Sequence, residues 1–315
     1  MTQYDRNQYP KCTVPAAEVA RVKGLGFLRD KRTADRFHCR VVTGGGKLNA
    51  EELQALADAA TKFGTGEVVL TSRMSVEVQG IPFESIEPFT AFLAQYGLEP
   101  GGTGPRVRPV VSCKGTSCVF GLIDTYGLAE KIHHLYYKGY RGVKLPHKFK
   151  IGVGGCPNNC VKPDLNDVGI IGQWVPVLNA EKCIGCGACV KACPVNACKI
   201  ENGKYVRAEN VCNSCGRCVR ACSVGALAYE HGYRVTLGGR WGKKVARGVA
   251  LSHLFTSEEE VLAAIEKAIL LFRDQGLAGE RFADTIARIG VEKVEQLLLC
   301  DELLNRKEEI LAKAL

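Results

Sequence analysis

Twelve of the sixteen cysteines in this 315-residue chain fall into three groups whose spacing is typical of iron–sulfur ligands. Two groups repeat the pattern C-x2-C-x2-C-x3-C, at Cys183, Cys186, Cys189 and Cys193, and at Cys212, Cys215, Cys218 and Cys222. In this pattern a small fold wraps two [4Fe-4S] clusters, and the fourth cysteine of each run ligates the other cluster. The expected ligand sets are Cys183, Cys186, Cys189 and Cys222 for the first cluster, and Cys212, Cys215, Cys218 and Cys193 for the second.

A third group of cysteines lies outside this repeat, at Cys113, Cys118, Cys156 and Cys160. Four thiolates at short spacing also suit tetrahedral zinc, which is the alternative for all three groups. Zinc sites usually pair two C-x2-C knuckles across a longer gap, so the repeated runs favour clusters. For the third group zinc stays open on spacing alone.

Two lysines stand between the halves of the third group. Lys148 and Lys150 flank Phe149, and side chains repeat with period two along a strand, so both ammonium groups are expected on one side. Two like charges side by side are costly unless they are solvated or face an anion. The sequence therefore indicates an anion site, and the alternative is an exposed edge strand that carries lysines against aggregation.

The expected secondary structure brings the third group together. Strands over 108–112 and 148–153 end just before Cys113 and, after two glycines, before Cys156. Two strand ends at the edge of one sheet are placed to hold a single cluster between them. A helix is expected over 120–137, and strands over 168–171 and 233–239. The repeated cysteine runs would then interrupt one sheet rather than follow a finished domain.

The N-terminal part alternates strand and helix signals and predicts a small α+β unit. Asn49 with Glu52 resembles a capping box at a helix start, and Ser257 with Glu260 marks another helix start. The helix that begins at the Ser257 cap is expected to end at about 273. The other expected elements are strands over 38–43, 68–71 and 75–78, and helices over 86–96, about 279–288 and 291–313.

A chain of this length is expected to form two or three domains. The boundaries expected are an arm over 1–14, the α+β unit over 15–104, an α/β domain over 105–177 and 231–290, an inserted ferredoxin-like domain over 178–230, and a C-terminal helix over 291–315. Cys12, Cys39, Cys198 and Cys300 have no partners at ligand spacing, and we expect them to be buried as small apolar side chains.

The formal charge of +9 does not indicate nucleic-acid binding here, because each cluster with its four thiolates is a net anion. The segment 178–230 carries seven Lys and Arg against four acids, which indicates either a docking surface for an acidic redox partner or compensation of cluster charge. No apolar run approaches the roughly 18 residues of a membrane span, so no membrane partner is expected. Cysteines in ligand spacing, without a signal-peptide pattern, predict a reducing cytoplasm.

Short motifs around the third group resemble those of the sirohaem-dependent nitrite/sulfite reductase family. These motifs are Arg108 ahead of Cys113, Leu-Pro-His-Lys-Phe-Lys at 145–150, Gly-Gly-Cys-Pro-Asn-Asn-Cys at 154–160, and Thr71-Ser72-Arg73. With a ferredoxin module inside a half-length chain, the sequence most resembles the catalytic C subunits of anaerobic sulfite reductases. The resemblance covers residues 15–290 and implies an α+β half-repeat with an inserted bacterial-type 2[4Fe-4S] ferredoxin domain.

The resemblance also implies one sirohaem and three [4Fe-4S] clusters, with Cys160 bridging the third cluster to the sirohaem iron. It places Arg40, Arg108, Lys148 and Lys150 around the substrate anion. The implied cofactor contacts are Arg73, Thr71 and Asn158, followed by the further candidates Lys47, Arg240, Lys243, Lys244 and Arg247 near glycine-rich turns. The chain departs from many relatives in three ways: Cys113 and Cys118 are spaced x4 rather than x5, His147 replaces arginine, and Glu77 replaces glutamine.

The implied activity is six-electron reduction of sulfite to sulfide. The alternatives are reduction of nitrite to ammonia and a non-catalytic iron–sulfur electron-transfer subunit. No Gly-x-Gly-x-x-Gly follows a strand, so nicotinamide and flavin are expected on other subunits. The expected partners are sulfite and electron-donating iron–sulfur or flavin subunits or ferredoxin. A homodimer within a larger complex is expected, because full-length relatives share a site between two copies of this fold.

Overall fold

The computed structural model of the chain describes residues 10–314, so residues 1–9 of the predicted arm lie outside the described part. The first unit contains α1 Ala16–Leu25, β1 Phe27–Arg29, β2 Arg36–Val42, α2 Ala50–Phe63, β3 Val68–Leu70, β4 Val76–Pro82, α3 Ile86–Ala94 and β5 Glu99–Pro100. Its strands form an antiparallel sheet in the order β1-β2-β4-β3, with β5 beside β2. This is the α+β arrangement that the alternating sequence signals predict.

The core of this unit lies between the sheet and the helices. Val41 and Val78 from the strands are buried together with Leu56 of α2 and Phe89 of α3. The predicted capping box is confirmed, because the Asn49 side chain accepts from the Glu52 amide while the Glu52 carboxylate accepts from the Asn49 amide. The cap fixes the start of α2 on the residue that the sequence indicates.

The second unit is built on a mixed five-stranded sheet. Its elements are β6 Val111–Ser112, α4 Thr125–Ile132, β7 Ile151–Gly154, β8 Val168–Leu178, α5 Ala188–Ala192, β9 Cys198–Glu201, β10 Lys204–Arg207, α6 Arg217–Arg220, β11 Leu227–Leu237, β12 Val249–Phe255 and α7 Glu258–Gln275. The sheet order is β12-β11-β8-β7-β6, with β6, β7 and β8 parallel and the rest antiparallel.

The segment between β8 and β11 leaves this sheet and returns to it. All eleven residues of β8 pair with all eleven of β11, as the sequence predicts for a segment that interrupts one sheet. The intervening module carries the hairpin β9–β10 and the two short helices α5 and α6, which contact each other. Each of these helices follows a glycine of positive φ, Gly187 and Gly216, so the two cysteine runs have the same local structure.

Several predicted elements have different bounds in the structure, and two of them lie near the third cysteine group. The strand predicted over 148–153 begins only at Ile151, because Lys148 to Lys150 contribute a single bridge at Phe149. The helix predicted over 120–137 begins at Thr125, where the Asp124 side chain caps it, and ends in a π-helical turn, His133–Lys138. Ser257 caps α7 as predicted, by accepting from the Glu260 amide.

The single C-terminal helix predicted over 291–313 is wrong. After α8 Phe282–Ile289 the chain forms three short helices, α9 Val291–Leu299, α10 Glu302–Asn305 and α11 Lys307–Ala312. All three pack on α7 and bury Val294, Leu298, Leu303 and Ile310. The chain is extended at Cys300, and this break lets all four apolar side chains face α7, which a straight helix with this spacing would prevent.

The four cysteines outside the three ligand groups differ in burial. Cys39 and Cys198 are buried, as expected, whereas Cys12 is half-buried and Cys300 is exposed. The expectation of burial is therefore wrong for Cys300, which lies at the break between α9 and α10, and is met only in part by Cys12. Within residues 10–314, no helix is long and apolar enough to cross a bilayer.

Candidate functional site

A cavity of about 610 Å³ opens between the two units. The residues expected around an anion or cofactor that line it are Arg40, Thr71, Arg73, Arg108, Lys148, Lys150 and Cys160. Further lining residues that the sequence did not single out include Lys162, Asn166 and Trp241. The cavity thus collects side chains from both units and from segments more than a hundred residues apart.

Arg40 and Arg108 are held on one backbone carbonyl. Arg40 on β2 donates from Nε and Nη2 to Glu77 Oε1 at 3.1 and 2.5 Å, and from Nη1 to the Gly102 carbonyl at 3.3 Å. Arg108 donates from Nη1 to the same Gly102 carbonyl. Gly102 has a φ of 73°, and a Cβ there would lie 3.0 Å from Arg40 Cδ. Glycine at this position therefore allows the arginine to pack against the backbone.

Arg73 crosses from the first unit to the second. It lies in the turn between β3 and β4, donates from Nη1 to Asn166 Oδ1 at 2.9 Å and donates from Nη2 to the Pro109 carbonyl at 2.7 Å. Burial lowers the pKa of its guanidinium to about 10. The Nε atoms of Arg73 and Arg108 are buried without a hydrogen-bond partner among residues 10–314. Buried donors of this kind are expected to meet an acceptor.

The lysine pair is fixed by the aromatic residue between its members. Phe149 is fully buried, with its ring centroid 5.9 Å from that of Phe272 on α7 and 5.2 Å from that of Phe282 on α8. Because Phe149 packs into the core, both flanking lysines are turned toward the cavity. Neither Nζ atom has a hydrogen bond or ion pair within the part of the chain that the structure describes.

The electrostatic environment of these lysines is strongly positive. Burial, followed by the charge of Arg73, lowers the pKa of Lys150 to about 8. Burial, followed by Arg281, lowers the pKa of Lys148. A bound anion would relieve the repulsion among these cations.

A buried ion pair lies behind the lysines and was missed by sequence reasoning. Asp167 is fully buried and accepts from Arg281 Nη2 at 3.0 and 3.1 Å and from the Lys150 amide at 2.9 Å. Arg281 stands at the start of α8, far along the chain from Lys150. No local motif marks Arg281, since its position depends on how α8 packs against the sheet. Asn166, which orients Arg73, was missed for the same reason.

The structure brings the third cysteine group together at the edge of the second sheet. Cys113 follows β6, and its Sγ accepts from the Gly155 amide at 3.1 Å. Burial raises the pKa of the Cys156 thiol, and the thiolate charges of Cys113, Cys160 and Cys118 raise it further. The two loops touch at glycines, because a Cβ on Gly155 would lie 2.8 Å from Gly115 Cα. The convergence of two strand ends that the sequence predicts is therefore present.

The inserted module places the first repeated set around one small cavity. The cysteines that line it are Cys183, Cys186, Cys189 and Cys222. In the second set, burial raises the pKa of the Cys218 thiol, to which Cys212 and Cys215 also contribute. The buried thiol of Cys198 interacts electrostatically with both Cys193 and Cys218. Cys222, the last cysteine of the second run, therefore lies beside the first three cysteines of the first run, whereas the place of Cys193 in the second set stays a prediction.

Backbone amides point at several of these sulfurs in both halves of the module. The Ala197 amide donates to Cys193 Sγ at 3.2 Å, and the Ala226 amide donates to Cys222 Sγ at 3.2 Å. Backbone hydrogen bonds also lower the pKa of Cys183. Among the described residues, no three Cys, His, Asp or Glu side chains are close enough to share a single metal ion. The thiolates of a cubane each bind a separate iron and stand further apart.

The remaining predicted residues do not line the cavity. Asn158 is exposed, and its amide bonds to Cys156; Lys47 is exposed, with Nζ 5.4 Å from the Tyr126 ring. Arg240 pairs with Asp284, Arg247 pairs with Asp164, and Lys243 and Lys244 are exposed on the hairpin between them. This hairpin reaches the cavity through Trp241 instead. Cofactor contacts from these residues stay predictions.

His147 is half-buried beside the lysine pair. Its Nδ1 accepts from the Lys148 amide at 2.7 Å, so this nitrogen is an acceptor in the structure. Burial, followed by the charge of Arg281, lowers its pKa. Both effects favour a neutral imidazole near pH 7.

Comparisons with known proteins agree with the geometry. The model described as nitrite and sulphite reductase 4Fe-4S domain matches residues 103–307, and the nitrite/sulfite reductase ferredoxin-like half domain matches residues 29–96. A coenzyme F420-dependent sulfite reductase from Methanocaldococcus jannaschii is 37% identical over 277 residues, covering 85% of this chain and 44% of that protein. The chain thus spans less than half the length of this relative.

Other similar proteins are closer in length. The C subunit of the anaerobic sulfite reductase from Salmonella typhimurium is 34% identical over 256 residues, covering 75% of this chain and 74% of that protein. Among solved structures, dissimilatory sulfite reductase I aligns with a TM-score of 0.68 at 22% identity, covering 84% of this chain and 69% of that one. The Mycobacterium tuberculosis NirA protein aligns with a TM-score of 0.66 at 19% identity, covering 93% and 48%. These two structures share the fold.

Proposed function

Because the chain belongs to the nitrite and sulfite reductase family of oxidoreductases, we propose that it is the catalytic subunit of a sulfite reductase. It would reduce sulfite to sulfide with six electrons. The observation that carries this proposal is that one cavity is lined by a thiol, Cys160, and by the four cations Arg40, Arg108, Lys148 and Lys150.

The residues around the cavity suit sirohaem. This cofactor carries eight carboxylates, and the unpartnered Nε atoms of Arg73 and Arg108 are donors suited to such groups. The volume of about 610 Å³ is that of a cofactor-sized cavity. Cys160 would hold the iron, and Cys113, Cys118 and Cys156 would complete a [4Fe-4S] ligand set. When bound, the group supplies an iron centre that accepts electrons and binds the sulfur of sulfite.

The cationic side chains would bind and orient the substrate. Arg40 and Arg108 both donate to the Gly102 carbonyl, which fixes their guanidinium groups beside the cavity. Sulfite is a small dianion whose oxygens leave as water, so cations beside those oxygens stabilise the developing charge. Asp167, by fixing Arg281 and the Lys150 backbone, would hold the lysine in place.

Lys148 and Lys150 are the proposed proton donors. An ammonium with a pKa of about 8, as at Lys150, is protonated at pH 7 and gives up its proton more readily than an ordinary lysine. Neither Nζ atom is engaged by another side chain among residues 10–314, so both are free to contact a bound anion.

The inserted module is proposed to be a bacterial-type ferredoxin domain with two [4Fe-4S] clusters. This assignment is supported by the cavity that Cys222 lines together with Cys183, Cys186 and Cys189, and by the amides that donate to Cys193 and Cys222. Electrons would enter from iron–sulfur or flavin subunits or ferredoxin, in a reducing cytoplasm. Cys215→Ala should remove one cluster and stop turnover with the physiological donor, yet spare turnover with reduced methyl viologen. Equal loss with both donors would make the module structural.

A two-fold homodimer within a larger complex is also proposed. Trp241, which lines the cavity, is 61% exposed, and Leu70, which precedes the cavity residue Thr71, is 81% exposed. Such side chains next to a cofactor site suggest that another protein surface covers them. We also propose the domain boundaries that the sequence predicts, from the arm over 1–14 to the segment over 291–315. Further cofactor contacts are proposed for Thr71, Asn158, Lys47, Arg240, Lys243, Lys244 and Arg247.

A second candidate function is reduction of nitrite to ammonia, which the same anion pocket favours because both substrates are small oxyanions. Comparison of kcat/KM for sulfite and nitrite distinguishes the two. A non-catalytic role in electron transfer is disfavoured by the cation set around Cys160. The decisive experiment is an absorption spectrum of anaerobically purified protein with extracted haem and iron content. We expect sirohaem and about twelve iron atoms in clusters per chain; well-folded protein without extractable sirohaem would overturn the proposal.

A further inference from the structure

The inserted module contacts the loop that follows Cys118 through hydrogen bonds and a cation–ring contact. Val119 and Phe120 follow Cys118 directly, and they are 78% and 44% exposed. Arg220 at the end of α6 donates from Nη1 to the Val119 carbonyl at 2.6 Å and from Nη2 to the Gly121 carbonyl at 3.4 Å. Arg217 lies over the Phe120 ring at 5.2 Å. Two arginines from the second cysteine run thus contact one short loop of the third group.

Trp174 on β8 joins the same contact. The Arg220 guanidinium lies 4.9 Å from the Trp174 ring, and this ring stacks on Tyr229 with centroids 3.9 Å apart. The Trp174 amide donates to the Ser214 carbonyl at 2.8 Å. A Cβ on Gly216 would lie 2.8 Å from the Trp174 ring, so the turn holding Cys215 packs directly on the indole.

The first cysteine set has a different environment. Cys186 is exposed, and Ile184 and Val224, which line the same cavity, are 68% and 39% exposed. Lys191 occupies the position in the first run that Arg220 occupies in the second, two residues after the third cysteine. Lys191 is exposed, and its side chain makes no hydrogen bond or ion pair with the described residues. The module therefore meets the third group through its second run.

We infer that Arg220 is a positioning residue that docks the second cysteine set, Cys212, Cys215, Cys218 and Cys193, against the Cys118 loop. Electrons then enter the sirohaem site from that set, while the first set faces the external donor. This inference rests on the proposed function. Each transfer oxidises the second set by one electron and reduces the third group by one, so six transfers from the donor are needed for each sulfite.

The guanidinium is suited to this role. Its planar fork donates to two carbonyl groups, and its face lies over the Trp174 indole. A lysine cannot make both kinds of contact at the same time. Arg220 is exposed, so its loss should leave the fold and the cysteine ligands intact and loosen the docking of the two parts. Loosened docking increases the distance between the redox groups, so the transfer of electrons between them slows.

The experiment uses the full-length, cofactor-loaded chain with Arg220→Ala, and Lys191→Ala as the matched control at the corresponding position. Iron content and extractable sirohaem are measured first. The magnetic interaction between the reduced clusters is then measured by electron paramagnetic resonance. Finally, protein reduced with methyl viologen is mixed with sulfite, and reoxidation of the iron–sulfur absorbance is followed in time.

We expect Arg220→Ala to keep its cofactors, to weaken the magnetic interaction and to slow reoxidation at least about tenfold, consistent with a loosened contact. Lys191→Ala should match the unmodified chain in all three measurements. Unchanged interaction and reoxidation in cofactor-loaded Arg220→Ala would overturn the inference while leaving the proposed function standing. An unmodified chain that binds the clusters but neither holds sirohaem nor reacts with sulfite would overturn the proposed function, and the magnetic measurement would still test the docking.

Discussion

At the residue scale, the site depends on an alternation of two lysines around a buried aromatic. Phe149 packs against Phe272 and Phe282, and this anchoring presents Lys148 and Lys150 to the cavity. The alternative interpretation, lysines protecting an exposed edge strand, does not fit, because both side chains are partly buried and line a cavity. The period-two argument made from the sequence therefore gives the right orientation, even though the regular strand begins only at Ile151.

The first prediction concerns these lysines. Lys148→Ala and Lys150→Ala should each keep sirohaem and iron bound but lower kcat for sulfite by about a hundredfold or more, the scale of losing a proton donor or charge stabiliser. Lys293→Ala, an exposed lysine on α9, is the matched control and should leave kcat unchanged. Normal sulfite turnover in both cavity variants would mean that the anion site lies elsewhere.

The second prediction is a pH dependence. The pKa of Lys150 is lowered to about 8, so its ammonium is present below that pH and is lost as pH rises through it. Because this ammonium is the proposed proton donor, we expect kcat/KM for sulfite to fall on the alkaline side of about pH 8. Lys150→Arg keeps its charge at high pH, so its profile should lose that limb while its kcat is lowered throughout. An unchanged alkaline limb in Lys150→Arg would assign the limb to another group.

The sequence identified the residues with local signals and missed those without them. The Cys-x-x-Cys spacing and the Lys-Phe-Lys alternation are short-range patterns, so they could be found. Arg281 and Asn166 act only because α8 and the segment before β8 meet the site in three dimensions. Conversely, Lys243 and Lys244 were singled out for charge near glycines, but charge alone does not show which side chains reach a cavity.

At the scale of elements, the segment linking β5 to β6 positions both arginines through one carbonyl. Gly102 has positive φ and packs against Arg40 Cδ and Pro109. Gly102→Ala should displace Arg40 and raise KM for sulfite about tenfold or more, the cost of disturbing a hydrogen bond to a charged group. Gly104 also has positive φ, 83°, but a Cβ there would meet nothing within 4 Å.

Gly104→Ala is therefore a control that carries the same backbone strain without the contact. It should leave KM close to that of the unmodified chain. Equal KM changes in the Gly102 and Gly104 variants would attribute the effect to backbone strain rather than to the arginine.

Secondary structure could be predicted where a cap or a strict period marks it. The caps at Asn49 and Ser257 are confirmed, and the pairing of β8 with β11 across the insert follows the sequence pattern. The C-terminal region could not be predicted in the same way. Its Leu-rich pattern indicates helix throughout, but packing around α7 requires a break at Cys300 that no glycine or proline announces.

At the scale of the whole molecule, the question is how many chains build one site. Cys160 and the lysine pair line one cavity within a single chain, whereas the proposed homodimer would share such sets between chains. Co-assembly of Lys148→Ala with Cys160→Ser chains tests this. If the sites are shared, a verified mixed dimer should recover about one working site of two, as expected for an isologous pair. No recovery would mean that each chain completes its own site.

The central claim is that this cavity reduces sulfite at sirohaem. The most direct measurement is the anaerobic reaction of the purified, cofactor-loaded chain with reduced methyl viologen and sulfite, with sulfide and oxidised viologen both quantified. Because HSO₃⁻ + 6 e⁻ + 6 H⁺ gives HS⁻ + 3 H₂O, we predict six viologen molecules oxidised for each sulfide formed, with loss of the reaction in Lys148→Ala. Sirohaem-loaded protein that forms no sulfide, or that forms it equally well without Lys148 and Lys150, would contradict the account.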